Sequence, residues 1–259
     1  MNSYLEKITF GIKTFKRPEA VGRLIESILK MYPTANILVV DDSGDDINQN
    51  IKDKFPTTKW IIEPLNIGLS AGRNVLVNNT TTPYLFLMDD DYIFNKSVNI
   101  EEIYNKLIEL DLDLLAGTVS DIRGQYAHPR NYHGTFKIEG DILHVKKNHY
   151  DIEWDSEVMK VDFAMNLFLA KTETLKDVKW EEKLKLAEHL EWYLRYSKKY
   201  KLGKFKLPKF NIYHDNSIGN SEYSKYRNNN AGLTVDELYS IERECMGIKQ
   251  IWFDGKFHH

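Results

Sequence analysis

The order of apolar segments predicts an α/β fold with a mostly parallel central sheet flanked by helices. Through the first 110 residues, strand-length apolar runs alternate with segments of helical period, an order that calls for crossover connections and parallel pairing. Two of those runs, Ile37 to Val40 and Tyr84 to Met88, end directly in carboxylates, Asp41-Asp42 and Asp89-Asp90-Asp91. Ligands of open parallel sheets bind at the carboxyl ends of the strands, so both acidic clusters fall where a site is expected.

The elements follow in order. Ile8 to Ile12 reads as a buried strand, and Pro18 suits the first turn of a helix carrying Ala20, Val21, Leu24, Ile25, Ile28 and Leu29 at helical spacing. After the turn at Tyr32-Pro33 come the strands Ile37–Val40 and Trp60–Ile62. Asn66-Ile67-Gly68 breaks the chain, and Ser70 is placed to cap a helix through Val77. Tyr84 to Met88 is the next strand, and Ile103, Leu107 and Leu110 mark a helix. Beyond it the pattern is less regular. Leu114–Val119 and Ile142–Val145 read as strands around a glycine-bearing loop or hairpin, and Val161–Ala170 as a longer apolar strand. A helix over 185–198, a strand region over 205–213 and a helix over 235–245 complete the chain, with 222–231 expected to be mobile until ligand arrives. No repeat or linker interrupts it. A single domain over 1–259 is predicted, with a nucleotide-binding half (1–110) and an acceptor half (111–259).

Composition narrows the function. With 259 residues, 42% hydrophobic and 28% charged, the chain can bury a full core. A net charge of −3 gives no general attraction to nucleic acid, and the lysines between 198 and 209 read as a solvated helix end and strand. One cysteine, Cys245, excludes an internal disulfide and a cysteine-cluster zinc site. His128, His133, His144 and His149 match no compact zinc spacing, and no Walker A or dinucleotide fingerprint is present. No apolar run approaches the ~20 residues that span a bilayer. The expected location is the cytoplasm, free or at the inner face of the membrane.

Three adjacent carboxylates repel one another, so a positive partner is expected at Asp89 to Asp91. Mg²⁺ or Mn²⁺ fits, because such ions bind through one or two carboxylates while a substrate diphosphate supplies further oxygens. A solvated acidic turn is the alternative.

Lys13-Thr14-Phe15-Lys16-Arg17-Pro18, Val39-Val40-Asp41-Asp42-Ser43, Asn66-Ile67-Gly68 with Arg73-Asn74, and Leu87-Met88-Asp89-Asp90-Asp91 together resemble the ordered motif series of GT-A glycosyltransferases. More narrowly, the chain is similar to inverting family-two enzymes and to β-1,4-N-acetylgalactosaminyltransferases. The resemblance implies that Thr14, Phe15 and Asp42 hold uracil, with Arg17 near phosphate or ribose and Arg73 near the diphosphate or sugar. It makes Asp91 the strongest metal ligand, with Asp89 or Asp90 on ribose or metal-bound water. It also brings in His214 as a further ligand, and Lys225 and Arg227 as partners of the donor phosphates.

An inverting transfer needs a general base opposite the leaving diphosphate. The segment Ala187 to Arg195 resembles the family's acidic motif, but His189 stands where the customary aspartate would be. Glu191 is the leading choice for the base, with Glu188 and His189 as alternatives. Glu188, Glu191 and Arg195 would also suit an ordinary helix ion-pair ladder. Trp154, Trp180 and Trp192 are candidates for stacking on acceptor sugars. The expected activity is metal-dependent transfer of a hexose or N-acetylhexosamine from a UDP-sugar to a glycan or glycolipid acceptor, in surface polysaccharide synthesis. The alternatives are a sugar nucleotidyltransferase and a non-catalytic glycan-binding or assembly protein.

Overall fold

The computed structural model describes residues 4–130, 132–207, 209–215, 221–228 and 233–258. Its first part runs β1 (Ile8–Thr14), α1 (Pro18–Met31), β2 (Asn36–Asp41), α2 (Gln49–Lys54), β3 (Lys59–Ile62), α3 (Leu69–Asn79), β4 (Tyr84–Asp89), β5 (Tyr92–Ile93) and α4 (Ile100–Glu109). Pro18 opens α1, and Ala20, Val21, Leu24, Ile25 and Ile28 are all buried, as their spacing requires. Helix α3 begins two residues earlier than expected. Gly68, at φ 95°, is its N-cap, and the Ser70 hydroxyl instead donates to the Leu184 carbonyl at 2.5 Å.

The second part comprises β6 (Leu114–Ala116), β7 (Thr118–Arg123), β8 (Tyr126–Pro129), β9 (Gly134–Glu139), β10 (Ile142–Lys147), β11 (Val158–Lys160), β12 (Phe168–Lys171), α5 (Thr172–Asp177), α6 (His189–Ser197), β13 (Leu202–Phe205), β14 (Asn211–His214), α7 (Ser221–Asn228), α8 (Val235–Met246), β15 (Gln250–Phe253) and β16 (Lys256–His258). The expected strand 114–119 divides at Gly117, where a Cβ would lie 2.7 Å from the Phe210 carbonyl oxygen. The expected strand 161–170 is shorter, beginning at Phe168. The expected strand region 205–213 is two strands, separated at Phe210, whose φ is +48°. Within 222–231, residues up to Asn228 belong to α7, and 229–231 lie outside the described residues.

One eight-stranded sheet, ordered β11-β13-β6-β12-β4-β1-β2-β3, forms the centre. Strands β1 to β4 pair in parallel with one another, as does β13 with β6, whereas β12 lies antiparallel to both β4 and β6. Val39, Phe10, Phe86 and Leu115 pack on one face of the sheet with α1 and α4, and Leu38, Leu87, Phe168 and Trp192 pack on the other. Two four-stranded sheets flank it, β16-β15-β10-β9 and β5-β14-β7-β8. The parallel ends of β1, β2 and β4 thus open toward one side, where β14, α6 and α7 also arrive.

Candidate active site

The exits of β1 and β2 form the floor of a cleft lined by Lys13, Phe15, Asp42, Gly68, Tyr223 and Tyr226 among others. Asp42 is fully buried and paired with Lys13, and its second oxygen accepts from the Gly68 amide at 3.2 Å. Burial pushes Asp42 up and Lys13 down, while each draws the other back toward its charged form. Phe15 faces Tyr226 edge-on at 5.1 Å, giving the cleft an aromatic wall. Thr14 lies beneath it, donating to Asp90 at 2.7 Å.

The Asp triplet diverges at the exit of β4. Asp90 turns inward to Thr14 and Arg17 and is fully buried; burial pushes it up to about 6 against the pull of Arg17. Asp89 accepts from Arg73 at 3.0 Å and from the Tyr92 hydroxyl at 3.2 Å. Asp91 lies 2.8 Å from Arg17 and 3.2 Å from His214 Nε2. Although burial opposes it, the charges of His214 and Arg17 hold Asp91 well below the usual carboxylate range. Arg17 in turn stacks on Tyr223 at 4.2 Å, so α7 closes over this corner.

His214 reaches Asp91 because β14 pairs antiparallel with β5, with His214 opposite Tyr92. Its Nδ1 lies 2.7 Å from Asp121, which also pairs with Arg130. A carboxylate on one ring nitrogen directs the other outward, the second-layer support that metal-binding histidines commonly have. Asp91 and His214 therefore offer a carboxylate oxygen and an imidazole nitrogen that fit a divalent cation. Among the described residues no group of three His, Cys, Asp or Glu side chains could hold a metal by itself.

Deeper along the same cleft stand Asp89, Glu188 and His189. Glu188 is only 1% exposed and is gripped by Arg73, with His189 Nδ1 3.0 Å away. Burial pushes Glu188 up, but His189 and Arg73 outweigh it and keep the carboxylate ionised. His189 Nε2 stands 2.8 Å from the side-chain amide of Asn166. Positive φ values at Lys16, Asn66 and Ala187 put three strained non-glycine residues around this cleft, a placement common at functional sites.

The expected residues do not all converge. Glu191 is buried with both oxygens on Arg195, away from the cleft lining, in the i,i+4 ion pair that its spacing allows. Trp180 and Trp192 stack on each other in the core at 4.4 Å and cannot meet an acceptor sugar; Trp154 is half-buried, its indole donating to the Leu202 carbonyl. Lys225 is exposed on α7, and the Arg227 side chain lies outside the described residues. Lys13, Asp121 and Asn166 also serve the site; Lys13 belongs to the 13–18 motif, whereas no local sequence signal marks Asp121 or Asn166.

The sequence profile of the family described as Glycosyl transferase family 2 matches residues 9–168, which include the whole nucleotide cleft floor and the Asp triplet. The chain belongs to glycosyl transferase family 2. It is 31% identical over 194 residues to β-1,4 N-acetylgalactosaminyltransferase 1 of Rattus norvegicus, a match covering 72% of this chain and 35% of that protein. Glycosyltransferase GlyA of Streptococcus pneumoniae is 30% identical over 117 residues, covering 43% and 16%. The chain thus spans about a third of the curated N-acetylgalactosaminyltransferase. Among solved structures, S. aureus TarS 1-349 in complex with UDP shares the fold with a TM-score of 0.59 at 16% identity, covering 91% of this chain and 65% of that one. This family-two chain has the GT-A architecture expected of it. Among its described residues, no helix is long and apolar enough to cross a membrane.

Proposed function

We propose that this family-two domain transfers a hexose or N-acetylhexosamine from a UDP-sugar to a glycan or glycolipid acceptor, with inversion and with a divalent metal. The observation that carries the reading is the convergence, in one cleft, of an aromatic-walled carboxylate pocket, the Asp91–His214 pair and the Glu188–His189 pair. The similarity to an N-acetylgalactosaminyltransferase and to the UDP complex of TarS supports the donor class.

Phe15 and Tyr226 hold the uracil ring, and Asp42 accepts its N3–H, which cytosine lacks. Asp91 and His214 would hold Mn²⁺ or Mg²⁺ with the donor phosphates completing its coordination; Arg17 lies beside them, while Arg73 is buried behind Asp89 and Glu188. When bound, the cation neutralises charge developing on the departing UDP. The acceptor hydroxyl attacks the anomeric carbon, a C–O bond forms as the bond to phosphate breaks, and the hydroxyl proton passes to protein. His189, 28% exposed on its side chain, is the member of the base pair that can meet that hydroxyl. Its Nε2 must exchange the Asn166 amide for the acceptor, and Glu188 then stabilises the imidazolium. Glu191 is set aside as base because Arg195 occupies both of its oxygens.

Thermal shift with UDP and a set of UDP-hexoses and UDP-N-acetylhexosamines, with and without Mn²⁺, tests the donor reading. Stabilisation that requires both nucleotide and metal is expected, and release of UDP from one UDP-sugar identifies the donor. Equal response to GDP, or none to any UDP compound, would rule the reading out. Metal-dependent UDP binding without release of UDP from any sugar donor would instead mark a non-catalytic binder.

A further inference from the structure

Behind the base pair lies a second cavity, whose lining includes none of Lys13, Phe15, Asp42 or Asp91. Tyr132, Lys147, His189, Tyr239, Glu242 and Phe253 contribute to its lining. His189 is the shared wall, since it also lines the main cleft. Three aromatic side chains around a space next to the base suit the apolar faces of a pyranose ring.

The second observation is Glu242 itself. It is 2% exposed, yet makes no hydrogen bond or ion pair from its side chain among the described residues. Buried polar groups are almost always satisfied, so a carboxyl left without a partner in a cavity wall points to a ligand. The nearby carboxylates are already spoken for, Glu188 by Arg73 and Glu191 by Arg195. Burial and the negative charges of Glu188 and Glu191, opposed by the positive charge of Arg243, push Glu242 up to about 8. That direction favours the protonated carboxyl, which can donate a hydrogen bond.

We propose that this cavity is an acceptor subsite, in which a neutral hexose ring packs on Tyr239 and Tyr132 and one of its ring hydroxyls accepts a hydrogen bond from Glu242. The assignment rests on the transferase reading, because it places the sugar beside His189. It adds what that reading lacks, a residue that selects the acceptor. A glutamate and a tyrosine of α8 build the site with a tyrosine from the connection between β8 and β9, and none of them belongs to the motifs that bind the donor.

Saturation-transfer NMR on the UDP-saturated protein tests this, with the methyl β-glycosides of glucose, galactose, N-acetylglucosamine and N-acetylgalactosamine as probes. At least one glycoside should receive saturation, with the uridine protons of UDP as internal reference. Glu242→Leu and Tyr239→Ala should each weaken that glycoside by about 10-fold or more, roughly the loss of one good contact, while uridine signals persist. Glu242→Gln, which keeps a donor, should bind within about threefold of the wild type. No transfer to any of the four probes, or unchanged affinity in both Tyr239→Ala and Glu242→Leu, overturns the proposal. Should Glu242→Leu not fold, Tyr239→Ala and Glu242→Gln decide alone. Loss of the uridine signals in wild type would instead count against the donor site.

Discussion

Asp89, Asp90 and Asp91 share a charge and differ in everything that decides their use. Consecutive residues at a strand exit point in different directions, so Asp90 is buried in the cleft floor against Thr14 and Arg17 while Asp89 and Asp91 keep some exposure to the cleft. The sequence made the cluster legible; it could not show that Asp90 would be consumed by Thr14 and Arg17, because those partners come from β1 and the start of α1. Asp91→Asn keeps the size of the side chain and removes one anionic oxygen beside His214. UDP release from the donor should fall at least ~100-fold at fixed Mn²⁺, with the melting temperature little changed. Near-normal turnover and metal dependence in this variant would exclude Asp91 as a ligand. Glu242 shows the opposite limit of legibility. Nothing in Ile241-Glu242-Arg243 distinguishes it from a surface glutamate, and its burial arises from packing α8 on α6.

Helix α6 carries the largest difference between expectation and structure at the level of elements. Its start at His189, four residues later than the apolar pattern suggests, follows from the left-handed turn at Ala187, which a helix cannot contain. That turn brings Glu188 to the N-cap position, where it meets Arg73 of α3, while Glu191 continues on the helix and pairs with Arg195. The motif was readable but its division of labour was not, since i,i+3 spacing alone places Glu188 and Glu191 on one helix face. The variants separate the roles. His189→Asn should lower kcat about 10²- to 10⁴-fold with UDP affinity preserved, the loss expected of a general base. Glu191→Gln should mainly lower thermal stability, because it removes the buried carboxylate that holds Arg195 through both of its oxygens. If Glu191→Gln abolishes turnover in a fully folded protein while His189→Asn remains active, the base assignment is reversed.

Across the whole molecule, the parallel half was the readable part because β1, β2 and β4 are buried apolar runs with a local signature, and β3 is a short apolar edge strand beside them. The strands β11, β12 and β13 join the same sheet through pairings between residues far apart in sequence, which periodicity does not encode. The same assembly buries several carboxyl groups, and their effect on stability has a sign that can be worked out. Asp90 is raised from 3.8 to about 6, and Glu242 from 4.5 to about 8. A carboxyl whose folded pKa exceeds its unfolded value binds more protons in the folded state, so the stability it contributes is full below the unfolded pKa and is lost as pH rises through the folded one. Asp91 and Glu188 are shifted downward and act in the other direction, losing their contribution only under acid conditions. Between about pH 4.5 and 8, Glu242 should therefore make the protein progressively less stable, by at most roughly 5 kcal/mol. Groups around it include Glu188, His189 and Glu191 on α6, Arg243 on α8, and Lys147, Tyr132 and Tyr239 in the cavity wall. Their own titrations are shared by Glu242→Gln, so the difference between the two proteins isolates residue 242. At pH 5 the two should melt within a degree or two of each other. By pH 9 the variant should be the more stable, by about 5 °C or more for a chain of this size. Parallel melting curves across that range would mean that Glu242 is ionised and solvated at neutral pH, and would remove the hydrogen-bond donor from the second cavity.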